Sequence, residues 1–254
     1  MDIKNNKYYE IAGLASSTID YPADYYIRKY GSVAKKILDL GCGEGTRLNL
    51  IPNSKAVKIG VDVSKLAINL CRKKYPKIIS KVVSSKLPFK DNSFDFVYSA
   101  FVLEHTKQPE IFLGEAVRVL SKDGTIILVA PNFGSPNRQS PNGISNRYKK
   151  LITGFANDIR YLFLNKIDDL EWQKVKPQKT YLEIDADTTI EPYLLSLEKY
   201  ISALGIRMVL LDSLWSQERS GVGIQLIFKV LSKLNIPPFT YWGPHLLYIG
   251  KKYD

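Results

Sequence analysis

Three glycines at alternate positions, Gly41, Gly43 and Gly45, follow a short apolar run containing an acid, Asp39, in the stretch ILDLGCGEGTRL at 37–48. Glycine is needed where the backbone takes a positive φ or where a ligand comes close to the main chain. The spacing excludes two common guests. A dinucleotide turn requires G-x-G-x-x-G, and the sixth position here is Thr46. A phosphate loop requires Gly-Lys-Ser/Thr at its end, which is absent. An acid just ahead of the turn disfavours a pyrophosphate and favours a guest carrying positive charge.

Such a turn belongs at the carboxyl end of a strand in an open parallel sheet, where strand order reverses. The chain supplies that frame. Strands are expected at 36–40, 56–61, 81–84, 94–99 and 125–130, with helices opening at 45–51, 64–75 and 109–120 between them. Ser64 can cap the second of these helices, where Leu66, Ala67, Leu70 and Cys71 share one face. Residues 131–190 lose the rhythm and are rich in Asn, Pro, Gly, Arg, Tyr and Asp. A helix over 193–204, a strand over 207–214, a helix over 221–234 and a last strand over 245–252 follow. The pattern predicts one α/β domain over 1–254, with 131–190 as an insertion or lid shaping an acceptor site.

The charge balance is basic, +11 from 36 Lys and Arg against 25 Asp and Glu. The cations stand in ones, twos and threes with no run of five. A soluble surface explains them best, an anionic substrate second and nucleic acid a distant third. Two cysteines, Cys42 and Cys71, give no disulfide framework, and the N-terminal residues have no apolar signal core. With no run of about 18 apolar residues, a cytoplasmic protein without a spanning helix is expected. The FTYW stretch at 239–242, beside a Lys-bearing helix, fits either core and lid packing or a peripheral membrane contact.

LDLGCGEG is followed by GVDVS (60–64), LPFKDNSFDFVYS (87–99), LEHT (103–106) and EAVRVLSKDGTIILVAPN (115–132). In order and spacing these five segments resemble the class I S-adenosylmethionine-dependent methyltransferases, in the type 11-like subfamily. The likeness is strong over about 30–132 and loose over 190–252. It implies a Rossmann-like, doubly wound, seven-stranded and mostly parallel sheet with an insertion after the fifth strand. It also implies S-adenosylmethionine as cofactor and S-adenosylhomocysteine as product.

On that likeness the loop Gly41-Cys42-Gly43-Glu44-Gly45 lies against the methionine part of the cofactor, and Asp39 faces its ammonium or sulfonium side. Asp62 is expected to accept hydrogen bonds from both ribose hydroxyls. Adenine is expected near Val63 and Leu87, with Ser84 or Ser85 beside it. Many relatives carry an acid there for the adenine amino group; this chain reads VVSSK, so a serine or a backbone carbonyl takes that place. Ala100, Phe101 and His105 are expected to border the transferred methyl, with packing an equal reading for Phe101. Cys42 is a small filler with no nucleophilic role.

Methyl transfer to a hydroxyl gains from a base, and only two histidines exist. His105 is the candidate, a packing or loop-orienting role being an equal reading; His245, next to Pro244, reads as structural. The insertion carries Arg138, Arg147, Lys149 and Lys150, then Asp185, Asp187 and Glu191. PNFGSPNRQSP (131–141) and DADTTIEPYLLSL (185–197) resemble segments of methyltransferases associated with cell-surface polysaccharide and lipopolysaccharide assembly. That second likeness implies a sugar hydroxyl of a glycan or glycolipid precursor as acceptor, and Phe101, Asp185 and Asp187 are the candidates to bind it. An anionic sugar nucleotide or lipid-linked diphosphate would meet Arg138 and Arg147. Asp185-x-Asp187 could bind a divalent metal in such an enzyme, but a capped turn before a helix is the better reading, so no metal is expected. The rivals are a quinone precursor or other small metabolite as acceptor, and a cofactor-binding module without turnover. RNA is disfavoured because SAFVLEHT stands where an Asn/Asp-Pro-Pro-aromatic signature would be.

Overall fold

The computed structural model describes residues 14, 21–143, 145–178, 187–218 and 223–253. The elements are α1 (Pro22–Gly31), β1 (Lys36–Leu40), α2 (Thr46–Asn49), β2 (Val57–Asp62), α3 (Lys65–Lys74), β3 (Ile79–Val82), β4 (Phe94–Ala100), α4 (Pro109–Val119) and β5 (Leu120–Pro131). There follow α5 (Arg147–Phe163), α6 (Leu194–Ala203), β6 (Ile206–Asp212), α7 (Ile224–Lys233) and β7 (His245–Lys252). Seven strands form one sheet in the order β3-β2-β1-β4-β5-β7-β6. The order reverses between β1 and β4, which places the ends of β1 and its neighbours at the switch point where ligands bind in such sheets.

Local chemistry explains the first half well. Strands β1 and β4 are nearly all buried, as expected of parallel strands covered on both faces. Ser64 caps α3 by accepting from the Ala67 backbone N–H at 3.3 Å. The third strand begins two residues earlier than its sequence suggests, because Ile79–Val82 pairs in register with Ile59–Asp62. The segment at 131–190, read as irregular, contains the 17-residue helix α5. Its cap is Asn146, whose side chain accepts from the Tyr148 and Lys149 N–H groups.

The chain forms two compact units. One comprises the residues up to Val102 together with Ile111–Ile127 and Lys251–Asp254; the other comprises Leu103–Glu110 and Leu128–Gly250. Inside the first, Arg118 reaches the Leu87 and Phe89 carbonyls and pairs with Glu115 and Asp91, while Glu115 accepts from the Leu87 N–H at 2.6 Å. This fork fixes the course of 87–91. Inside the second, Asn132 is buried and fully used: it donates to the Tyr241 and Gly243 carbonyls and accepts from the Leu194 N–H. An aromatic cluster of Phe155, Phe228, Phe239 and Trp242 packs with ring centroids 5.0–6.2 Å apart.

Candidate active site

In the first unit the glycine turn leaves β1 with three left-handed residues, Gly41 (φ 81°), Gly43 (φ 56°) and Gly45 (φ 88°). A Cβ at Gly41 would collide with the Val102 side chain, and one at Gly45 would lie 2.6 Å from the Cys71 sulfur. Both conformation and space demand glycine here. Replacing Gly41 by alanine should destabilise the chain by about 1–3 kcal/mol. A thermal melt reads this directly, and an unchanged melting temperature would contradict the geometry.

Asp62 ends β2 half-buried, and each of its oxygens already accepts one backbone N–H: Gly43 at 3.0 Å and Ser64 at 2.8 Å. The loop's own backbone adds Gly41 and Cys42 N–H donating to the Val61 carbonyl. A carboxylate has about four lone-pair directions, so Asp62 keeps capacity for further donors. Behind the turn, Glu44 binds Lys74 at 2.8 Å and the Thr46 hydroxyl meets Tyr75 at 3.0 Å. The turn is therefore held by the end of α3.

Asp39 is buried, and register explains its partner: Tyr98 lies opposite it across β1 and β4 and donates its hydroxyl at 2.6 Å. Burial pushes the Asp39 carboxyl up to about 7, against the opposing pull of the Tyr98 hydrogen bond and of Arg47. Burial, with the Asp39 charge second, drives the Tyr98 phenol well up, so it stays a donor. Sequence reading missed Tyr98 and Arg47. Arg47 pairs with Asp24 at 2.9 Å and lies 5.8 Å from the centre of the Phe101 ring. Phe101 itself has φ 60°, a costly conformation for an aromatic residue, at the exit of β4.

The remaining expected cofactor residues fall as follows. Ala100 and Leu87 are buried, Val63 is 76% exposed, and Ser84 and Ser85 are exposed. Cys42 turns its thiol inward against Gly60, and its hydrogen bond to Cys71 and its burial raise it well above the ordinary thiol range.

In the second unit, a 3₁₀ turn (Leu103–His105) carries His105. Its Nδ1 lies 3.3 Å from the Asp187 carbonyl oxygen and 3.5 Å from Asp187 Oδ1. Both are acceptors, so Nδ1 is placed to donate to Asp187. Nε2 stands 3.8 Å from Glu104 Oε1, a fully buried carboxylate that sequence reading did not single out. Thr189 fixes the turn by donating its N–H and hydroxyl to the Glu104 carbonyl and its hydroxyl also to that of Thr106.

The same short segment, Asp187–Glu191, runs from His105 to the wall of a cavity of about 220 Å³ within this unit. Its lining includes the aromatic residues Trp172, Tyr161 and Tyr193 and the polar residues Asn157, Glu171 and Gln173. Its frame is polar and closed on itself. Glu191 accepts from the Ser140 N–H and hydroxyl and pairs with Lys150 at 2.6 Å. Asp158, pushed up to about 7 by burial, accepts from Tyr193 and Trp242 at 2.7 and 2.6 Å. Of the expected acceptor residues, Asp187 orients His105. Arg138 is committed to Glu218, to the Trp242 carbonyl and to the Trp215 ring, so it is not offered to an anion. Arg147 is exposed at the start of α5, and Asp185 lies outside the described residues. Among the described residues no group of three or more His, Cys, Asp and Glu is placed to hold a metal, and no helix is long and apolar enough to cross a membrane.

A doubly wound sheet with a glycine turn after β1 and an acid ending β2 defines a nucleoside-binding α/β fold of the Rossmann-like class. Residues 38–128 match the family described as "Methyltransferase domain". An uncharacterized protein of Methanocaldococcus jannaschii is 31% identical over 159 residues, 61% of this chain and 73% of that one. A Mycobacterium tuberculosis protein named "Probable S-adenosylmethionine-dependent methyltransferase" is 33% identical over 111 residues, and a "Demethylmenaquinone methyltransferase" of Tropheryma whipplei 28% over 110; each match covers 42% of this chain. The chain spans 40% and 45% of the lengths of those two relatives. The structure of a SAM-dependent methyltransferase from Archaeoglobus fulgidus superposes with a TM-score of 0.55 over 96% of this chain and 100% of that one, at 17% identity. Residues 38–128 thus form a methyltransferase domain, and S-adenosylmethionine is the cofactor that this family and these relatives imply for it. The residues fit that group: a turn with no Cβ at Gly41, a carboxylate in Asp62 with lone pairs to spare, and a buried acid for a cation.

Proposed function

We propose that the chain methylates a hydroxyl of a sugar in a glycan or glycolipid precursor, with His105 as the base. The observation that carries this reading is the cavity of about 220 Å³ in the second unit, lined by both aromatic and hydrogen-bonding residues. Sugars present an apolar ring face and a rim of hydroxyls, which Trp172 and Tyr161 together with Asn157, Glu171 and Gln173 match in kind. The cofactor, when bound, supplies an electrophilic methyl on a sulfonium. The chain's own work is to align and to handle a proton. As the acceptor oxygen gains the methyl, its proton passes to His105 Nε2, and the resulting imidazolium has Asp187 on one side and Glu104 on the other. Asp62 and the glycine turn hold the donor, and the segment Asp187–Glu191 ties the base to the cavity wall.

His105→Asn should lower kcat about 10²–10³-fold while leaving S-adenosylhomocysteine affinity unchanged. An unchanged kcat would remove His105 from the chemistry. The acceptor itself is tested by methyl incorporation into sugar nucleotides and lipid-linked glycans set against demethylmenaquinone. The quinone is the second reading, favoured by the name of the Tropheryma relative. Turnover of the quinone alone would overturn the sugar.

A further inference from the structure

We propose that α5 and α7 form a docking face that seats the second unit on the surface of an anionic lipid bilayer. This inference does not depend on the acceptor. On α5, Tyr148, Ile152, Phe155, Ile159 and Phe163 recur at helical spacing on one stripe, and they point outward: Tyr148 is 82% exposed, Ile152 70% and Phe163 84%. On α7, Leu226, Ile227, Val230 and Leu234, just past its end, form a second exposed stripe, while Phe228 on the opposite side is buried. The two helices are joined through one cluster. Phe155 packs on Phe239 and Trp242, and Phe228 packs on the same two rings. Two amphipathic helices are thus tied to one aromatic cluster, each with apolar residues turned to solvent, far more than scattered surface hydrophobes require.

The charges choose the occupant. The stripe of α5 is flanked by Arg147, Lys149 and Arg160, and that of α7 by Lys229 and Lys233. The only acid in either helix is Asp158, which is buried and hydrogen-bonded to Tyr193 and Trp242. An apolar stripe edged by Lys and Arg is the pattern of a helix lying in a lipid interface, with cations toward anionic headgroups. A second copy of this chain suits the face poorly, since a two-fold contact would set these cations against their own equivalents.

The full chain is mixed with vesicles of phosphatidylcholine alone or with phosphatidylglycerol added, and bound protein is read by sedimentation. Wild type should sediment with the anionic vesicles and less so as salt rises. Ile152→Glu with Phe163→Glu, and separately Leu226→Glu with Val230→Glu, should each raise the lipid needed for half-binding about tenfold or more. Both pairs lie on exposed positions, and unchanged melting and S-adenosylhomocysteine binding show that the fold is kept. Wild type left in the supernatant with both vesicles overturns the proposal. So does equal binding to the neutral vesicles, or sedimentation of both variants like wild type. A wild-type dimer that the variants break, with no lipid binding, assigns the face to a second copy instead.

Discussion

Asp62→Ala should weaken binding of S-adenosylhomocysteine by about 10²–10⁴-fold, the loss of two hydrogen bonds to a charged acceptor. The size of the effect comes from a double duty. Asp62 is proposed to take the ribose hydroxyls, and it also holds the Gly43 and Ser64 N–H groups at 3.0 and 2.8 Å. Alanine therefore removes the anchor for the guest and the anchor of the loop together. Asp62→Asn separates the two. Its carbonyl oxygen can still accept from Gly43 or Ser64, but the amide lacks the charge and the second acceptor, so an intermediate loss is expected. Calorimetric titration of the three proteins gives the order wild type, Asn, Ala. Equal affinity of wild type and alanine would sink the ribose assignment.

Asp39→Asn is expected to move stability and binding in opposite directions. The folded carboxyl sits at about 7 against an ordinary 3.8, so the native state holds a proton that the unfolded chain releases. Relative to the variant, wild-type stability is highest below pH 3.8, is lost as pH rises toward 7 and stays low above it. At pH 8 the variant should be more stable, by on the order of 4 kcal/mol at most. Binding runs the other way. A positively charged cofactor favours the ionised carboxylate, so below pH 7 binding must expel a proton, and wild-type affinity should fall by up to about tenfold per pH unit. The asparagine variant should bind more weakly above pH 7 and show no such slope. Paired melts and S-adenosylmethionine titrations from about pH 5.5 to 8.5 check both halves. A wild-type affinity flat across that range would mean that Asp39 does not face the charge.

The cofactor half of the chain was legible because its signals are local. Strand, three glycines, helix and a following acid stand within 26 residues, from Ile37 to Asp62, and each glycine is demanded by its own φ or by a neighbour. Tyr98 was not legible because its role depends on the register that sets it opposite Asp39, 59 residues away. Glu104 and Asp158 were hidden for the same reason, since burial by distant segments gives each its character. Helix α5 was overlooked for a different one. Its apolar residues keep helical spacing, but they face outward, Gly154 interrupts the run, and the preceding Asn, Pro and Gly residues read as loop. A pattern that serves a surface does not announce itself as a core element. Arg138 shows the converse: an arginine in a polar stretch suggests an anion contact, and only the fold reveals Glu218 as its partner.

The bracing behind the glycine turn bears on turnover. Glu44, Thr46, Lys74 and Tyr75 brace the end of the loop against one another, and neighbouring side chains leave no room for a Cβ at Gly41 or Gly45. Its conformational entropy is therefore surrendered once, when the chain folds. A cofactor seated against this loop, as we propose, would meet a braced backbone and would leave it without the loop having to reorder for the next.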